Sequence, residues 1–412
     1  MKCHFCHHKL THEFVDLINA PLSNSFLTKE QLNEPEVFYP LKLFVCDKCF
    51  LVQIDKYKKS DDIFNKDYAY FSSFSTSWLE HAKKYVDMIT DRLGLGAASH
   101  VMEIASNDGY LLQYFLKKQI HCFGIEPSAN TAQAARKKGV EILEDFFCAD
   151  LAERLVQEGK KADLIIGNNI LAHVPDVNDF VVGLKIALKD NGVITLEFPH
   201  LMQLIEQNQF DTIYHEHFSY FSFFTVKLIF EKHGLELFDV ERLSTHGGSL
   251  RIYGKHKDDA SKNISTNVTA LLHEEKAKGI QTAKYYDGFQ NKADRLKYDL
   301  IDFLIKQKKA GKKVAAYGAA AKGNTLLNYC GVKKDLIEFV VDASPHKQDK
   351  FLPGSHIPVV KEDEIIRSKP DYVLILPWNI KDEITEQLNY IQKWGGMFVV
   401  AVPEIKVIEV TQ

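Results

Sequence analysis

The chain has 412 residues, 45% of them hydrophobic, and a net charge of −4 from 51 basic and 55 acidic side chains. That length exceeds one ordinary hydrophobic core, so two or three domains are expected. The near balance of charge argues against bulk attraction to nucleic acid. The absence of a bilayer-length apolar run, or of an apolar leader after Met1-Lys-Cys-His4, leads us to expect a soluble cytoplasmic protein with no membrane partner.

Four of the seven cysteines fall into two pairs, Cys3-His-Phe-Cys6 and Cys46-Asp-Lys-Cys49. A two-residue spacer lets both sulfurs of a turn face one ion, so Cys3, Cys6, Cys46 and Cys49 predict a tetrahedral Zn²⁺ site. Four thiolates leave no open position, which makes the zinc structural. The residues from Ala20 to Tyr39 should form a hairpin or an excursion between the knuckles, and His4, His7 and His8 read as solvated. A partner-binding role for this module stays open.

An aromatic cluster, Asp67-Tyr-Ala-Tyr-Phe-Ser-Ser73, precedes a helical pattern over Ser77–Leu93 that puts Trp78, Ala82, Tyr85 and Ile89 on one face. The cluster either packs or hangs as a lid over the next segment of the chain, Val101-Met-Glu-Ile-Ala-Ser-Asn-Asp-Gly-Tyr-Leu-Leu112. That segment reads as a short apolar strand turning sharply into a helix. Such a corner binds ligands at the carboxyl edge of an open α/β sheet.

Three features select the ligand. Glu103 lies inside the strand, and the turn has one glycine, Gly109, where a dinucleotide fingerprint needs three. Glu126-Pro127 closes a second strand, Cys122–Ile125, where it can accept from ribose hydroxyls. Asn168-Asn169 ends a third strand, Ala162–Gly167, at the same edge. That order predicts an S-adenosylmethionine (SAM) site from Glu103, Ala105, Asn107, Gly109, Tyr110, Glu126, Pro127, Asn168 and Asn169. A fourth strand, Val193–Phe198, completes a doubly wound domain, and His173 falls in a loop beside the same crevice.

Next comes Phe210-Asp-Thr-Ile-Tyr-His-Glu-His-Phe-Ser-Tyr-Phe-Ser222. Tyr214, His215, Glu216 and His217 are consecutive proton-transfer groups among aromatics, which suits acid–base chemistry; a second metal site is the alternative. Thr245-His-Gly-Gly-Ser-Leu-Arg251 introduces a strand, and there His246, Ser249 and Arg251 are candidate phosphate contacts. Residues 257–312 read as a charged connector with one helix through Leu296–Ile305. Lys313-Val-Ala-Ala-Tyr-Gly-Ala-Ala-Ala-Lys-Gly-Asn324 then opens a second parallel sheet. Its turn, with Tyr317, Lys322 and Asn324, suits the diphosphate of a nucleotide sugar. The expected organisation is a zinc module (1–65), a Rossmann-like SAM methyltransferase domain (66–255) and a second Rossmann-like α/β domain (256–412), as a monomer.

Taken together, Glu-Ile-Ala-Ser-Asn-Asp-Gly-Tyr, Gly-Ile-Glu-Pro-Ser, Tyr-His-Glu-His-Phe, His-Gly-Gly-Ser-Leu-Arg, Tyr-Gly-Ala-Ala-Ala-Lys-Gly-Asn and the zinc knuckles resemble the TDP-sugar C-3'-methyltransferases. The resemblance covers essentially the whole chain. It implies a SAM-dependent enzyme acting on a nucleotide-linked 4-keto-6-deoxy sugar, TDP or GDP, with His217 as base and Glu216, Tyr214, His173 and Tyr68 lining the sugar. Two other readings of the residues stay open: an O- or N-methyltransferase, and a zinc-containing binding factor with a SAM-like domain.

Overall fold

The computed structural model describes residues 1–57 and 71–408. Three strands open the chain: β1 (His12–Ala20), β2 (Tyr39–Val45) and β3 (Val52–Ile54). Then β4 (His100–Ile104), β5 (His121–Ile125), β6 (Glu141–Leu143), β7 (Ala162–Asn168) and β8 (Leu188–Pro199) alternate with helices, followed by β9 (Ser219–Tyr220), β10 (Leu235–Leu243) and β11 (Ser249–His256). The last third holds β12 (Val314–Tyr317), β13 (Val340–Val341), β14 (Val359–Val360), β15 (Tyr372–Ile375), β16 (Met397–Val400) and β17 (Lys406–Ile408).

These strands make three sheets. The first, β1-β2-β3-β9, is antiparallel, and its last strand comes from far along the chain, directly after the Tyr-His-Glu-His block. The second runs β10-β11-β8-β7-β4-β5-β6, parallel from β8 to β6 and antiparallel at the β10 and β11 edge. Chain order reverses between β4 and β7, so the loops after these two strands part and leave a crevice. The third, β14-β13-β12-β15-β16-β17, repeats that reversal between β12 and β15 and carries one antiparallel edge strand.

The central strands form where apolar runs are buried on both faces: Val101, Met102, Leu164, Ile165, Ile166, Ile194 and Leu196 are all inaccessible. The helix Thr76–Leu93 begins where the Ser75 hydroxyl accepts from Trp78 N–H and ends at Gly94 in the left-handed region.

The charged connector differs from its expectation. It holds two helices, Thr266–Lys278 and Phe289–Lys309. The second buries Phe289, Ala293, Leu296, Leu300 and Leu304, one helical face, with Phe289 stacked on Phe14 of β1 at 4.7 Å. Each of its large apolar side chains contributes about 1.5–3 kcal/mol of burial. Lysines and aspartates on the outer face dilute that stripe in the sequence. Residues 20–39 leave β1 and return to β2 by way of the third sheet's side, where Leu27 pairs with Phe351. No helix among the described residues is long and apolar enough to cross a membrane.

Candidate active site

One cavity of about 1630 Å³ runs between the three units. The loops after β4, β5, β6 and β7 form one wall, the residues from Thr212 to His217 a second, and the turns at Ala320–Lys322 and Pro377–Ile380 a third.

The first wall is a preorganised turn. Asn107 N–H and Ser128 N–H donate to the two oxygens of Glu126, at 3.0 and 2.9 Å, and the Thr131 hydroxyl adds a third donor at 3.1 Å. Burial pushes the Glu126 carboxyl above its usual range, against these donors. Ala105, Asn107 and Asn169, all on the cavity, have positive φ, a backbone state that costs non-glycine residues energy and clusters at sites. Ser72 N–H donates to the Asn107 side chain at 2.9 Å, so the chain just before the first helix lies over this corner. Phe71 stacks there on His346 of the third unit at 5.1 Å.

The second wall hangs from a buried 3-10 turn, Phe210–Thr212. The Thr212 carbonyl can only accept, so its 3.0 Å bond to His217 Nδ1 puts the proton on Nδ1 and leaves Nε2 as the basic nitrogen. Burial first, then the neighbouring His173, holds the His217 pKa well below the usual histidine range, so the ring is neutral. Tyr214 and His173 pack on it with ring centroids 4.0 and 4.7 Å away. Burial lowers His173 to about 4. Glu216 does not orient His217; its carboxylate accepts from Asn24 at 2.7 Å, and burial pushes it up to about 7.

On the third wall, Lys322 donates to Asn379 at 2.8 Å and lies 4.7 Å over the Trp378 ring. The Trp378 indole donates to the buried Asp211 at 2.7 Å. His246, at positive φ, meets Asn169 at 3.0 Å.

Of the residues singled out from sequence, Ala105, Asn107, Tyr110, Glu126, Pro127, Asn168, Asn169, His173, Tyr214, Glu216, His217, His246 and Lys322 line this cavity. Six do not. Glu103 is buried on the sheet face opposite to Met102 and Ile104, with the Tyr110 hydroxyl against a carboxyl that burial pushes well above its range. Gly109 packs against Ala135 and Val140. Arg251 stands directly between Glu197 and Glu241 of its two neighbouring strands, bonds both at 3.2 and 2.8 Å, and is buried off the cavity. Ser249 donates to the Thr245 carbonyl, Tyr317 to Gln387, and Asn324 to the Ser23 carbonyl. Tyr68 lies outside the described residues.

Sequence reading passed over Asn24, Phe146, Phe147, Lys347 and Asn379 and took Trp78 only as part of a helix face; all six also line the cavity. The signal for Phe146 and Phe147 was present, since they follow a strand edge as Glu126 does; but β6 has only three residues and was not recognised. Asn24 and Asn379 arrive through long-range packing and have no local signature.

Away from the cavity, the ligand atoms of Cys3, Cys6, Cys46 and Cys49 all lie within 4.8 Å of one another, with Cys3–Cys49 and Cys6–Cys46 sulfurs 3.5 Å apart. Sulfurs about 3.8 Å apart are what tetrahedral Zn²⁺ requires, so this donor set fits the ion. The Gln53 amide donates to Cys3 Sγ at 3.4 Å, a bond that stabilises thiolate charge.

Three family profiles match in succession: a "Putative zinc binding domain" over residues 3–64, a methyltransferase domain over 78–240 and a C-methyltransferase C-terminal domain over 244–403. The C-methyltransferase NovU of Streptomyces niveus is 34% identical over 407 residues, 99% of this chain and 96% of that one. Among solved structures, the Burkholderia thailandensis 1,6-didemethyltoxoflavin-N1-methyltransferase aligns with 14% identity over 50% of this chain and 95% of its own, TM-score 0.36. Magnesium protoporphyrin IX methyltransferase of Synechocystis PCC 6803 aligns with 15% identity over 43% and 81%, TM-score 0.34. With a relative this similar along nearly its full length, the chain belongs to the C-methyltransferase family, as a SAM-dependent enzyme with a zinc-binding module at its N-terminal end.

Proposed function

We propose that the protein methylates C-3 of a nucleotide-linked 4-keto-6-deoxy sugar by way of an enolate. One observation carries this reading: His217 presents a neutral imidazole, its tautomer fixed by Thr212, to a cavity shared with the Glu126 corner. Carbon becomes nucleophilic only after deprotonation, and a ketone at C-4 makes the C-3 proton acidic. A neutral, water-shielded histidine suits that step. Tyr214 and His173 pack against the base, and this packing supports them as donors to the ketone oxygen and the sugar hydroxyls. Glu216, held by Asn24, lines the sugar beside them.

SAM supplies the methyl cation equivalent when bound. The residues that would hold it are Asn107, Tyr110, Glu126, Pro127 and Asn168, with Trp78, Phe146 and Phe147 as apolar walls; a buried carboxylate ringed by donors suits a ribose, and aromatic rings suit an adenine. The nucleotide part of the substrate, TDP or GDP, falls to the remaining cavity residues, His246 and the third unit among them. Zinc takes no part in the chemistry. We assign the three units to residues 1–65, 66–255 and 256–412 of a cytoplasmic monomer that binds neither nucleic acid nor membrane.

The test is mass spectrometry of TDP- and GDP-4-keto-6-deoxy sugars incubated with protein and SAM in deuterated water. Gain of a methyl on carbon with C-3 deuterium exchange is expected. His217→Asn should lower both rates by about 10²–10⁴-fold; methyl transfer at the wild-type rate in that variant would remove the base assignment.

A further inference from the structure

We propose that the Lys322 ammonium is the cation that receives the enolate charge, with Asp211 as the positioning residue that holds it there through Trp378. This rests on the enolate reading above and moves Lys322 from the substrate's diphosphate to its reacting ketone.

The base and the cation hang from one support. The turn Phe210–Thr212 is buried throughout. Its Thr212 carbonyl fixes His217, while its Asp211 carboxylate accepts from the Trp378 indole at 2.7 Å. The Trp378 ring carries the Lys322 ammonium on its face at 4.7 Å, and Asn379, the next residue, accepts from Nζ at 2.8 Å. Two units of the chain thus meet with a general base on one side and an ammonium on the other. The field of that ammonium reaches the site, since it lowers the basicity of both His217 and His246 and stabilises the Asp211 carboxylate. Lys347, another lysine on the cavity, is committed elsewhere: it donates to the Ala319 carbonyl at 2.9 Å and lies 3.6 Å from Asp342.

The chemistry needs such a group. When the C-3–H bond breaks, the proton passes to His217 Nε2, its electron pair forms the C-3=C-4 double bond, and the carbonyl π pair moves onto oxygen. An imidazolium forms beside an ammonium, an arrangement that becomes favourable when an anion lies between them. Before the proton moves, the same ammonium adds to the burial that keeps His217 neutral.

Burial lowers Lys322 to about 8, and the opposing charge is Asp211, itself raised to about 6. The other titratable groups facing Lys322 are His217 and His246; Trp378 and Asn379 are neutral. Enolisation should therefore decline as pH rises through about 8.

The experiment follows C-3 deuterium uptake in the absence of SAM, using the full chain and whichever of the TDP- or GDP-4-keto sugars it accepts. Binding of TDP or GDP alone is measured in parallel. Lys322→Met is expected to lower the maximal exchange rate by about 10²–10³-fold while changing nucleotide affinity less than about threefold, as for removal of a preorganised oxyanion donor. Lys322→Arg should restore part of the rate. Asp211→Asn, which retains an acceptor for the indole, should move the alkaline limb to lower pH because the charge that keeps Lys322 protonated is gone. SAM affinity and the thermal midpoint serve as fold controls; if Lys322→Met loses them, Lys322→Arg and Asp211→Asn decide. Retained exchange with a tenfold or greater loss of nucleotide affinity would return Lys322 to the diphosphate, and an unmoved limb in Asp211→Asn would remove its positioning role. If the wild-type protein exchanges no 4-keto sugar, the proposed function itself fails, and this assignment with it.

Discussion

At the end of β5, Glu126 accepts from the backbone N–H of Asn107, at the turn after β4, and from Ser128, two residues beyond itself. At the end of β13, Asp342 accepts from Ala319 at 2.7 Å, at the turn after β12, and from Ser344 at 2.8 Å, again two residues on. The two strand–turn–helix corners are built on one plan. Their surroundings differ. Glu126 opens on the cavity, whereas the corner of Asp342 is filled by the Lys347 ammonium and by Pro377. Pro377 stands 2.4 Å from where a Cβ on Gly318 would lie. A corner of this kind is a structural device first, and becomes a ligand site only where no neighbouring cation or loop occupies it.

Substitutions at matching positions sharpen that contrast. The largest effect on ligand binding is expected at Glu126→Ala: a loss of SAM affinity of about 10–100-fold by calorimetry, the scale of hydrogen bonds to a charged group. Its counterpart, Asp342→Ala, should leave SAM affinity within about twofold and instead cost about 1–3 kcal/mol in denaturant unfolding, because two backbone donors and Lys347 lose their acceptor. Loss of SAM binding in both would break the comparison. Next come the turn glycines, Gly318 (φ +90) and Gly109 (φ +73). Gly318→Ala should cost about 2–4 kcal/mol, from left-handed strain plus the Pro377 collision. Gly109→Ala meets only Ala135 and Val140 at 3.1 Å and should cost about 1–2 kcal/mol. Smallest is Lys347→Met, expected to alter stability by about 1 kcal/mol or less and to leave one SAM per chain; a second bound equivalent would mean that the lysine alone kept the second corner closed.

The residues explain what could be read without coordinates. Strands β4, β5, β7 and β8 were recognisable because both faces are buried and their runs are apolar throughout, and the edge rule then located Glu126 and Asn168. The two Cys-x-x-Cys pairs carried their own geometry. Side-chain facing was harder. Glu103 alternates with Met102 and Ile104, but alternation does not say which face meets the cavity. Arg251 looked free because its partners, Glu197 and Glu241, lie opposite it only once β8, β11 and β10 are in register. The contacts of Asn24 with Glu216 and of Asp211 with Trp378 join residues 192 and 167 positions apart, beyond any local pattern.

Strand β9 begins two residues after His217 and pairs with β3, whose Gln53 also touches the cysteine cluster. The Phe218 carbonyl, between them, accepts from Ile54 N–H at 3.1 Å. The cysteine cluster is thus joined, by a few backbone bonds, to the imidazole we propose as the base. On that proposed role, zinc loading sets how many chains carry a correctly aimed histidine, and starvation for the metal is expected to read out as lost turnover and not as lost cofactor affinity.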